Sequence, residues 1–434
     1  MRGRVRLRFL DTRPLRGSQP FRDLWIGTSV SQVGGQIANV AVLAQVWDLT
    51  GSPVGTGAIG LATGLPMVLF GLLGGTLADT VDRRAVVRAT TAGQLLAAAA
   101  LCAQALADNR NVLLLLALVA VGTSCSALGA PARRTFPVRL LPDDQVAAGL
   151  ALTNVSFQAA MLAGPAMAGL IIARWDLPAA YAAQAAAMVV SMLAVIRLPA
   201  MRPEGADAAG GRRRPKRGGW RIVLRRPALW GSMATDLSAT LLAMPVALFP
   251  LVNEIRFGGN PQTLGLFLSA VAVGGITAGL LSGTVTRWRR GGLVQLSAAG
   301  VWGLALACFG LAGPLWLALG CLAVAGAADT VSVVTRSALV QLETPDAYRG
   351  RVSSVEHVIG VAGPELGNFR GGLLASATSA SFSLVFGGLS AILAIAAVAA
   401  TNAPLRGYRT PPAPTKPTAP GAADTAAAAG QVSS

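Results

Sequence analysis

Residues 55–84 read GTGAIGLATGLPMVLFGLLGGTLADTVDRR, an almost wholly apolar run that ends in a short charged loop. About 20 apolar residues are enough for a helix to cross the hydrocarbon core of a bilayer. The same arrangement recurs along the chain, which has 434 residues, 53% of them hydrophobic and 13% charged. Soluble domains carry about 25% charged residues. The sequence therefore predicts an all-α membrane protein that crosses the bilayer many times.

The lengths of the apolar runs and the positions of the basic residues together predict the topology. The runs lie near residues 24–47, 55–78, 86–107, 111–131, 147–173, 178–197, 228–252, 262–286, 292–312, 314–335, 353–376 and 380–401. Short cytoplasmic loops are enriched in Lys and Arg. With a cytoplasmic N-terminus, 32 of the 36 basic residues fall on that side, and only Arg110, Arg174, Arg256 and Arg370 do not. We expect 12 transmembrane helices in the cell (plasma or inner) membrane, with both termini cytoplasmic.

Composition divides the chain into five segments. The longest predicted cytoplasmic loop contains GRRRPKRGG (211–219) and has no apolar periodicity, so we expect a flexible linker between two six-helix bundles. The C-terminal segment is rich in Pro, Ala, Thr and Gly, a composition typical of disordered tails. The predicted segments are a basic N-terminus at 1–22, helix bundles at 23–198 and 227–402, the linker at 199–226 and the tail at 403–434.

The two predicted bundles share a weak internal repeat. A shift of 203 residues aligns Arg133 with Arg336 and Asp143 with Asp346, which follow the fourth and tenth runs. Both halves start on the same side and contain six runs, so a pseudo-twofold axis along the membrane normal would relate them. Carriers built in this way hold their substrate between the halves, near the middle of the bilayer.

The loop after the second run carries a recognisable motif. Residues 74–86, GGTLADTVDRRAV, resemble the loop signature G-x-L-A-D-x-x-G-R-(K/R) of the major facilitator superfamily. Gly75, Asp79, Arg83 and Arg84 match it, whereas Asp82 replaces the usual glycine. The resemblance implies a cytoplasmic gate in which Asp79 holds the two halves together while the carrier opens outward. The alternative is that the loop only sets the topology and forms a short turn.

A second motif lies in the fifth run. AGPAMAG (163–169) resembles the antiporter signature G-x-x-x-G-P-x-x-G-G, which marks exporters in the superfamily; Gly164, Pro165 and Gly169 match it. Within the superfamily, AQVWDLTGSPVGTGAIGL (44–61) and VQLETPDAYRGRV (340–352) resemble enterobactin-exporter-like and macrolide-efflux-like carriers. The resemblance implies a carrier that works as a monomer and whose first, fourth, seventh and tenth helices line the substrate cavity.

Polar side chains within the predicted spans are candidates for the substrate path. In the first span, Ser29, Gln32, Gln36 and Asn39 recur every three or four residues and so share one helix face. A shift of 204 residues places Asp236, in the seventh span, on the position of Gln32. Since the resemblance puts both spans beside the cavity, we expect Gln32, Gln36 and Asn39 to contact substrate.

Charged residues within spans are candidates for proton coupling, because an ionised side chain there costs about 2.5–3.5 kcal/mol on insertion scales. Asp236 is the first candidate; the alternative is a structural carboxyl bonded to a neighbouring helix. Asp329 precedes Arg336 by seven residues, and an ion pair between the two is its alternative role. Glu365 and Arg370 lie five positions apart, which does not favour a pair within one helix. Both are further candidates for the cavity or for coupling.

These features favour secondary active export of a small amphiphilic molecule, such as a siderophore or antibiotic, by alternating access with proton antiport. The alternatives are proton-coupled import of a small nutrient and a non-transporting membrane receptor. An enzyme is not expected, since the sequence has no HExxH, GxSxG, P-loop or paired CxxC motif.

The same observations predict which partners the chain binds. We expect no cofactor and no metal, because the four cysteines lie singly in apolar runs. The net charge of +17 is spread over loops, so no nucleic acid is expected either. The expected partners are the substrate, protons and the lipid bilayer.

Overall fold

The computed structural model describes residues 11–198, 219–281, 290–345 and 348–409, and these ranges form α-helices joined by short turns. The first segment contains α1 Arg13–Gly17, α2 Gln19–Thr50, α3 Pro53–Thr80, α4 Arg83–Leu106, α5 Val112–Arg134, α6 Phe136–Leu140 and α7 Asp143–Ile196. The second contains α8 Gly219–Arg225, α9 Pro227–Ala243, a 3-10 turn Val246–Leu248, α10 Phe249–Phe257, α11 Pro261–Leu280, α12 Gly291–Leu311, α13 Leu315–Glu343, α14 Arg349–Ala377, α15 Ala380–Thr401 and α16 Ala403–Arg406.

Nine segments in these ranges are long and apolar enough to cross a membrane, and one of them, Pro227–Phe257, consists of α9, the 3-10 turn and α10 together. The helices α2 and α14, of 32 and 29 residues, are also long enough but more polar, and both carry predicted functional residues. At the periphery, large apolar side chains face outward: Leu113, Leu280 and Leu393 are 78%, 83% and 71% exposed. An apolar exterior on helices of this length confirms the prediction of an all-α membrane protein.

Helix boundaries follow the local sequence. Between α2 and α3, Gly51 adopts a left-handed conformation with φ of 55°, which glycine tolerates at a helix C-terminus. Ser52 then caps α3 by accepting a hydrogen bond from the Val54 N–H at 3.3 Å, and Pro53 takes the first helical position. The segment α7 is broken at Asp176, where φ is 61°, so the predicted runs 147–173 and 178–197 form two separate helices that meet at this residue.

The helices before and after residues 199–218 meet along two pairs. The first pair is α3 with α14, and the second is α7 with α11. Within the earlier segment, α2 packs against α7 and α3 packs against α5. Within the later segment, α11 packs against α13 and α12 packs against α15. These two pairs supply most of the contacts between the earlier and the later segment.

Three boundaries of the predicted segments differ from the structure. The helix α2 begins at Gln19, inside the segment expected to be an N-terminal tail. Residues 219–225 of the expected linker form α8, with Val223 buried; 199–218 lie outside the described residues. In the expected tail, Leu405 is fully buried and the Tyr408 carbonyl accepts from the Gly292 N–H at 3.4 Å. Apolar side chains inside these polar segments explain the differences.

Close helix crossings depend on glycine. At the crossing of α11 with α13, Gly274 lies against the Ala323 carbonyl and Gly326 against the backbone of Val271. Small residues allow membrane helices to approach closely, and van der Waals contact then stabilises the pair. Gly320, on the same helix as Gly326, has no atom near the position of a Cβ.

We expect Gly326→Leu to destabilise the protein, because the new side chain must displace the Val271 backbone. Overpacking of this kind costs about 1–3 kcal/mol. Thermal unfolding in detergent, followed by circular dichroism, measures the effect. Gly320→Leu is the matched control on α13 and should leave the midpoint unchanged. Equal shifts in the two variants would contradict a packing role for Gly326.

Candidate functional site

A buried ion pair joins α9 to α13. Asp236 of α9 and Arg336 of α13 are 5% and 7% exposed, and an Arg336 guanidinium nitrogen contacts Asp236 Oδ2. Both groups have lost their hydration, so each depends on the other for electrostatic stabilisation. The alternative that the sequence left open for Asp236, a bond to a neighbouring helix, is what the structure contains. A buried carboxyl with one cationic partner is also able to exchange a proton.

A second carboxylate extends this network to α14. Arg336 Nε lies 3.4 Å from Glu356 Oε1, and the same oxygen accepts a hydrogen bond from the Ser337 hydroxyl at 3.1 Å. One guanidinium therefore lies between carboxylates from two different helices. The group of Asp236, Arg336 and Glu356, which we name the Arg336 network, connects α9, α13 and α14.

Asp329 lies beside the network but outside its ion pairs. It is close enough to interact electrostatically with Asp236 and Arg336. The ion pair with Arg336 that the sequence allowed is not formed: within the described ranges Arg336 pairs with Asp236 and Glu356, and Asp329 has no ion pair. The site thus contains an additional carboxyl without a cation of its own.

Glu365 lies at the contact between α14 and α3. A Cβ on Gly60 would lie 3.0 Å from Glu365 Oε2, and one on Gly64 would lie 2.7 Å from Glu365 Cβ. The neighbours of its carboxyl are Thr63 and Asn368, and no described Lys or Arg pairs with it. Asn368 in turn accepts a hydrogen bond from the Ala247 N–H at 3.2 Å. A carboxyl group is therefore packed into a close helix contact without a cation.

Arg370 has a different environment from the one expected. Its Nε donates to the Leu241 carbonyl at 3.0 Å and its Nη2 to the Leu242 carbonyl, both in the last turn of α9. The guanidinium therefore caps the C-terminus of α9, where backbone carbonyls lack intrahelical partners. Arg256 does the same for α12, donating to the carbonyls of Phe309 at 3.1 Å and Ala312 at 2.7 Å. Two of the four basic residues outside the predicted cytoplasmic loops thus satisfy helix ends.

The polar face of α2 lies against α7. Gln36 Nε2 contacts Met161 Sδ at 3.5 Å, and Asn39 Nδ2 donates to Gln36 Oε1 at 3.4 Å. The Oε1 of Gln32 is buried without a hydrogen-bond partner in the described ranges. Asn39 is exposed. These side chains have free hydrogen-bonding capacity, as a substrate-binding surface requires.

The antiporter-like motif lies at two helix contacts. Gly164 lies against the Gln36 side chain of α2, where a Cβ would overlap it. A Cβ on Gly169 would lie 2.8 Å from the Pro261 carbonyl oxygen at the start of α11. Pro165 presents its carbonyl to Gly265 of α11. The motif therefore allows α7 to pack closely against α2 and α11 together.

The structure describes the second part of the gate motif, residues 82–84, in full. Gly75 lies in α3, and the side chain of Asp79 lies outside what the structure describes, so the predicted contact of Asp79 stays a prediction. Asp82, the departure from the superfamily pattern, accepts a hydrogen bond from the Arg84 N–H at 2.9 Å and caps α4. Arg83 and Arg84 begin that helix. A helix cap explains why an aspartate is tolerated in place of the glycine.

Sequence reasoning missed two buried polar clusters. Gln45 and Gln104 exchange hydrogen bonds of 3.2 and 2.9 Å, and Tyr181 donates to Gln45 Oε1 at 2.7 Å. Ser232 donates to Gln295 Oε1 at 2.8 Å. A polar residue in an otherwise apolar run was the available signal, but its partners lie at least 59 positions away. The members of both clusters bind one another, which favours a structural role.

The Arg336 network gives a stability prediction. Removing one partner of a buried ion pair typically costs about 3–5 kcal/mol, because the other charge is left unpaired. We expect Asp236→Asn and Arg336→Gln to lower the apparent free energy of unfolding in detergent, and the double variant to lose less than the sum. The exposed pair Arg13–Asp144 is the control, with Arg13→Gln and Asp144→Asn expected to cost about 0–1 kcal/mol. Additive losses at Asp236 and Arg336 would disprove the coupling.

Comparison with solved structures shows the same fold in several transporters. The nucleoside transporter NupG superposes with a TM-score of 0.71 at 14% identity, covering 88% of this chain and 98% of that one. A bacterial homologue of the iron transporter ferroportin, in an inward-facing state, gives a TM-score of 0.68 at 15% identity and covers 89% and 99%. At sequence identities this low, the similarity shows a shared fold and does not extend to the substrate.

Sequence comparison is more specific. The enterobactin exporter EntS of Citrobacter koseri is 27% identical over 385 residues, covering 86% of this chain and 91% of that protein. EntS of Escherichia coli O157:H7 is 26% identical with the same coverage. Residues 12–422 match the family model described as transmembrane secretion effector. The resemblance inferred from the sequence motifs is thereby confirmed. The chain belongs to the transmembrane secretion effector family of the major facilitator superfamily, and it is an enterobactin-exporter-like transporter rather than an enzyme.

Proposed function

We propose that the protein is a secondary active exporter of a small amphiphilic molecule, working by alternating access with proton antiport. The observation that carries the proposal is the Arg336 network, in which buried carboxylates on separate helices share one cation. In a chain related to exporters, such a group offers a proton site whose occupancy changes helix–helix contacts. A siderophore such as enterobactin, or an antibiotic, is the proposed substrate class. The carrier would act as a monomer in the cell membrane, with cytoplasmic termini.

The proposed architecture is twelve spans in two bundles, 23–198 and 227–402, joined through 199–226. The two helix pairs between the segments support it. In the sequence repeat α3 corresponds to α11, and the first part of α7 corresponds to α14, so the pair α3–α14 and the pair α11–α7 are equivalent. A finer correspondence adds support. Gly164 lies against Gln36, and Gly363 lies against Thr240. The repeat aligns Gly164 with Gly363 and Gln36 with Thr240, so equivalent residues make equivalent contacts.

The proposed conformation is closed on the side away from the cytoplasm. On that side of the predicted topology, the Thr56 hydroxyl donates to the Ala247 carbonyl at 2.7 Å. The Trp47 indole also donates to the Glu254 carboxylate there. Gly57 packs against Phe369. Alternating access would break these contacts and close the opposite side, where the gate motif with Asp79 and Arg83 is proposed to act.

The proposed coupling uses the carboxyl groups in turn. Protonation of Asp236 removes the charge that pairs with Arg336, which leaves the guanidinium to Glu356 and weakens the link between α9 and α13. Asp329 is a nearby second acceptor. Glu365, without a cation, favours the close α3–α14 contact only when it is neutral, because an unpaired buried charge is costly. Gln32, Gln36 and Asn39 are proposed to hydrogen-bond the substrate.

Proton antiport is tested in proteoliposomes with an imposed pH gradient and a pH-sensitive dye in the lumen. Enterobactin addition should drive proton movement in the wild type. Typical coupling free energies correspond to about 5–150-fold. We expect Asp236→Asn and Asp329→Asn each to lower substrate-driven proton movement by a factor in that range. Asp329→Asn breaks no ion pair, so it keeps the test valid if Asp236→Asn unfolds. Asp144→Asn, at an exposed carboxylate, is the control. Substrate movement without protons, or unchanged coupling in both variants, would refute antiport.

Alternating access is tested by cross-linking α3 to α14. A Cβ on Gly57 would lie 3.1 Å from Phe369 Cα, so cysteines at these positions are close enough for a disulfide. In a background lacking the four native cysteines, Gly57→Cys with Phe369→Cys should cross-link on oxidation and stop transport. A reductant should restore it. The single variants are controls and should stay active. Full transport by the cross-linked protein would disprove opening at this contact.

A further inference from the structure

A cavity of about 210 Å³ lies between the later part of α3, the end of α5 and the beginning of α14. It is separate from the Arg336 network and from the polar face of α2. Most of its wall is aliphatic, including Met67 of α3, Ala127 of α5 and Val361 of α14. Two basic side chains, Arg134 and His357, complete the wall. A small apolar cavity with a few convergent polar groups is typical of a ligand site.

The two basic groups lie at the same end of the cavity. Arg134 is the last residue of α5, and Ala127 lies two turns earlier on that helix. His357 lies nearer the beginning of α14 than Val358 and Val361 do. On α3, Met67 is farther from the helix end than Gly71. The basic side chains therefore lie at one end of the cavity and the aliphatic side chains toward the other, and in the proposed topology the basic end faces the cytoplasm.

Among the described lining residues, the basic end of the cavity has no counter-charge. No acidic residue is found among the part of the lining that the structure describes. Neither Arg134 nor His357 makes a hydrogen bond or ion pair within the described ranges, and both are exposed. Glu356 is adjacent to His357 in sequence, but its carboxylate contacts Arg336 and Ser337. A guanidinium in this position is available to bind a planar anionic group such as a carboxylate.

We propose that this cavity binds an amphiphilic anion, with the apolar body of the ligand at Met67, Ala127 and Val361 and its anionic group between Arg134 and His357. The inference rests on the proposed export function and deepens it, because it assigns the transported molecule to the amphiphilic anions and places its entry site at α3, α5 and α14.

The cavity is smaller than pockets that enclose a drug-sized ligand, which are about 300–1,000 Å³. It therefore accommodates a compact aromatic acid of two fused rings, or one such portion of a larger substrate. The same chemistry, an apolar body with one anionic group, is found in an acidic phospholipid. The experiment has to separate a soluble ligand from a lipid headgroup.

The test compares two ligands that differ in charge alone. Binding of 2-naphthoate and of 2-naphthamide is measured by calorimetry, with the full chain in nanodiscs of phosphatidylcholine. The wild type should bind the naphthoate at least about tenfold more tightly, the change that 1.4 kcal/mol of charge interaction gives. Arg134→Gln with His357→Gln should remove this preference while leaving naphthamide binding unchanged. Arg225→Gln, at an exposed cation on α8, is the matched control and should keep it.

Two further arms complete the test. Val361→Trp should weaken both ligands, because it fills the apolar end. Nanodiscs that contain phosphatidylglycerol identify the occupant: competition with naphthoate assigns the site to a lipid headgroup, and no competition assigns it to a soluble anion. Equal binding of the two ligands by the wild type, or a preference that survives in the double variant, overturns the proposal. Binding is measured without a gradient, so these outcomes are independent of whether antiport is found.

Discussion

A polar group inside hydrocarbon has no water to bind, so it must find its partner within the protein. The later helices show what this constraint requires. Arg370 and Arg256 bind the carbonyls at the ends of α9 and α12, where the helical hydrogen-bond ladder stops. Arg336 lies between Asp236 and Glu356. Each long cationic side chain thus connects two or three helices, and the positions of these helices depend on those bonds.

The helix α14 links the sites described above. Along its length His357 borders the cavity, Glu356 contacts Arg336, Glu365 packs against α3 and Arg370 caps α9. In the proposed cycle, a proton taken up at Asp236 changes the forces on this one helix, which also forms the contact that closes the outer side. Glycines at Gly60 and Gly64 of α3 keep that contact close. A rigid helix with several polar contacts is a physically contiguous route for coupling.

Sequence reasoning located the polar residues of the spans better than it identified their partners. For Asp236 it left open a bond to a neighbouring helix, and the structure contains one. For Asp329 it considered Arg336, seven residues later on the same helix, but that side chain extends away to α9 and α14. Arg370 was a candidate for proton coupling because it lies outside the predicted cytoplasmic loops, where Lys and Arg are enriched. Its role as a cap depends on where α9 ends, and the sequence did not predict that end because the apolar run continues beyond Ala243.

The sequence by itself determined the class of the molecule, since span length and composition are local properties that a bilayer imposes on each helix separately. Its motifs also identified the superfamily. Only the tertiary structure decided which groups come together: Asp236 with Arg336, Arg370 with the end of α9, and Arg134 with His357 on the wall of one cavity. These arrangements bring together residues up to 223 positions apart, and they depend on how whole helices pack, which no local pattern encodes.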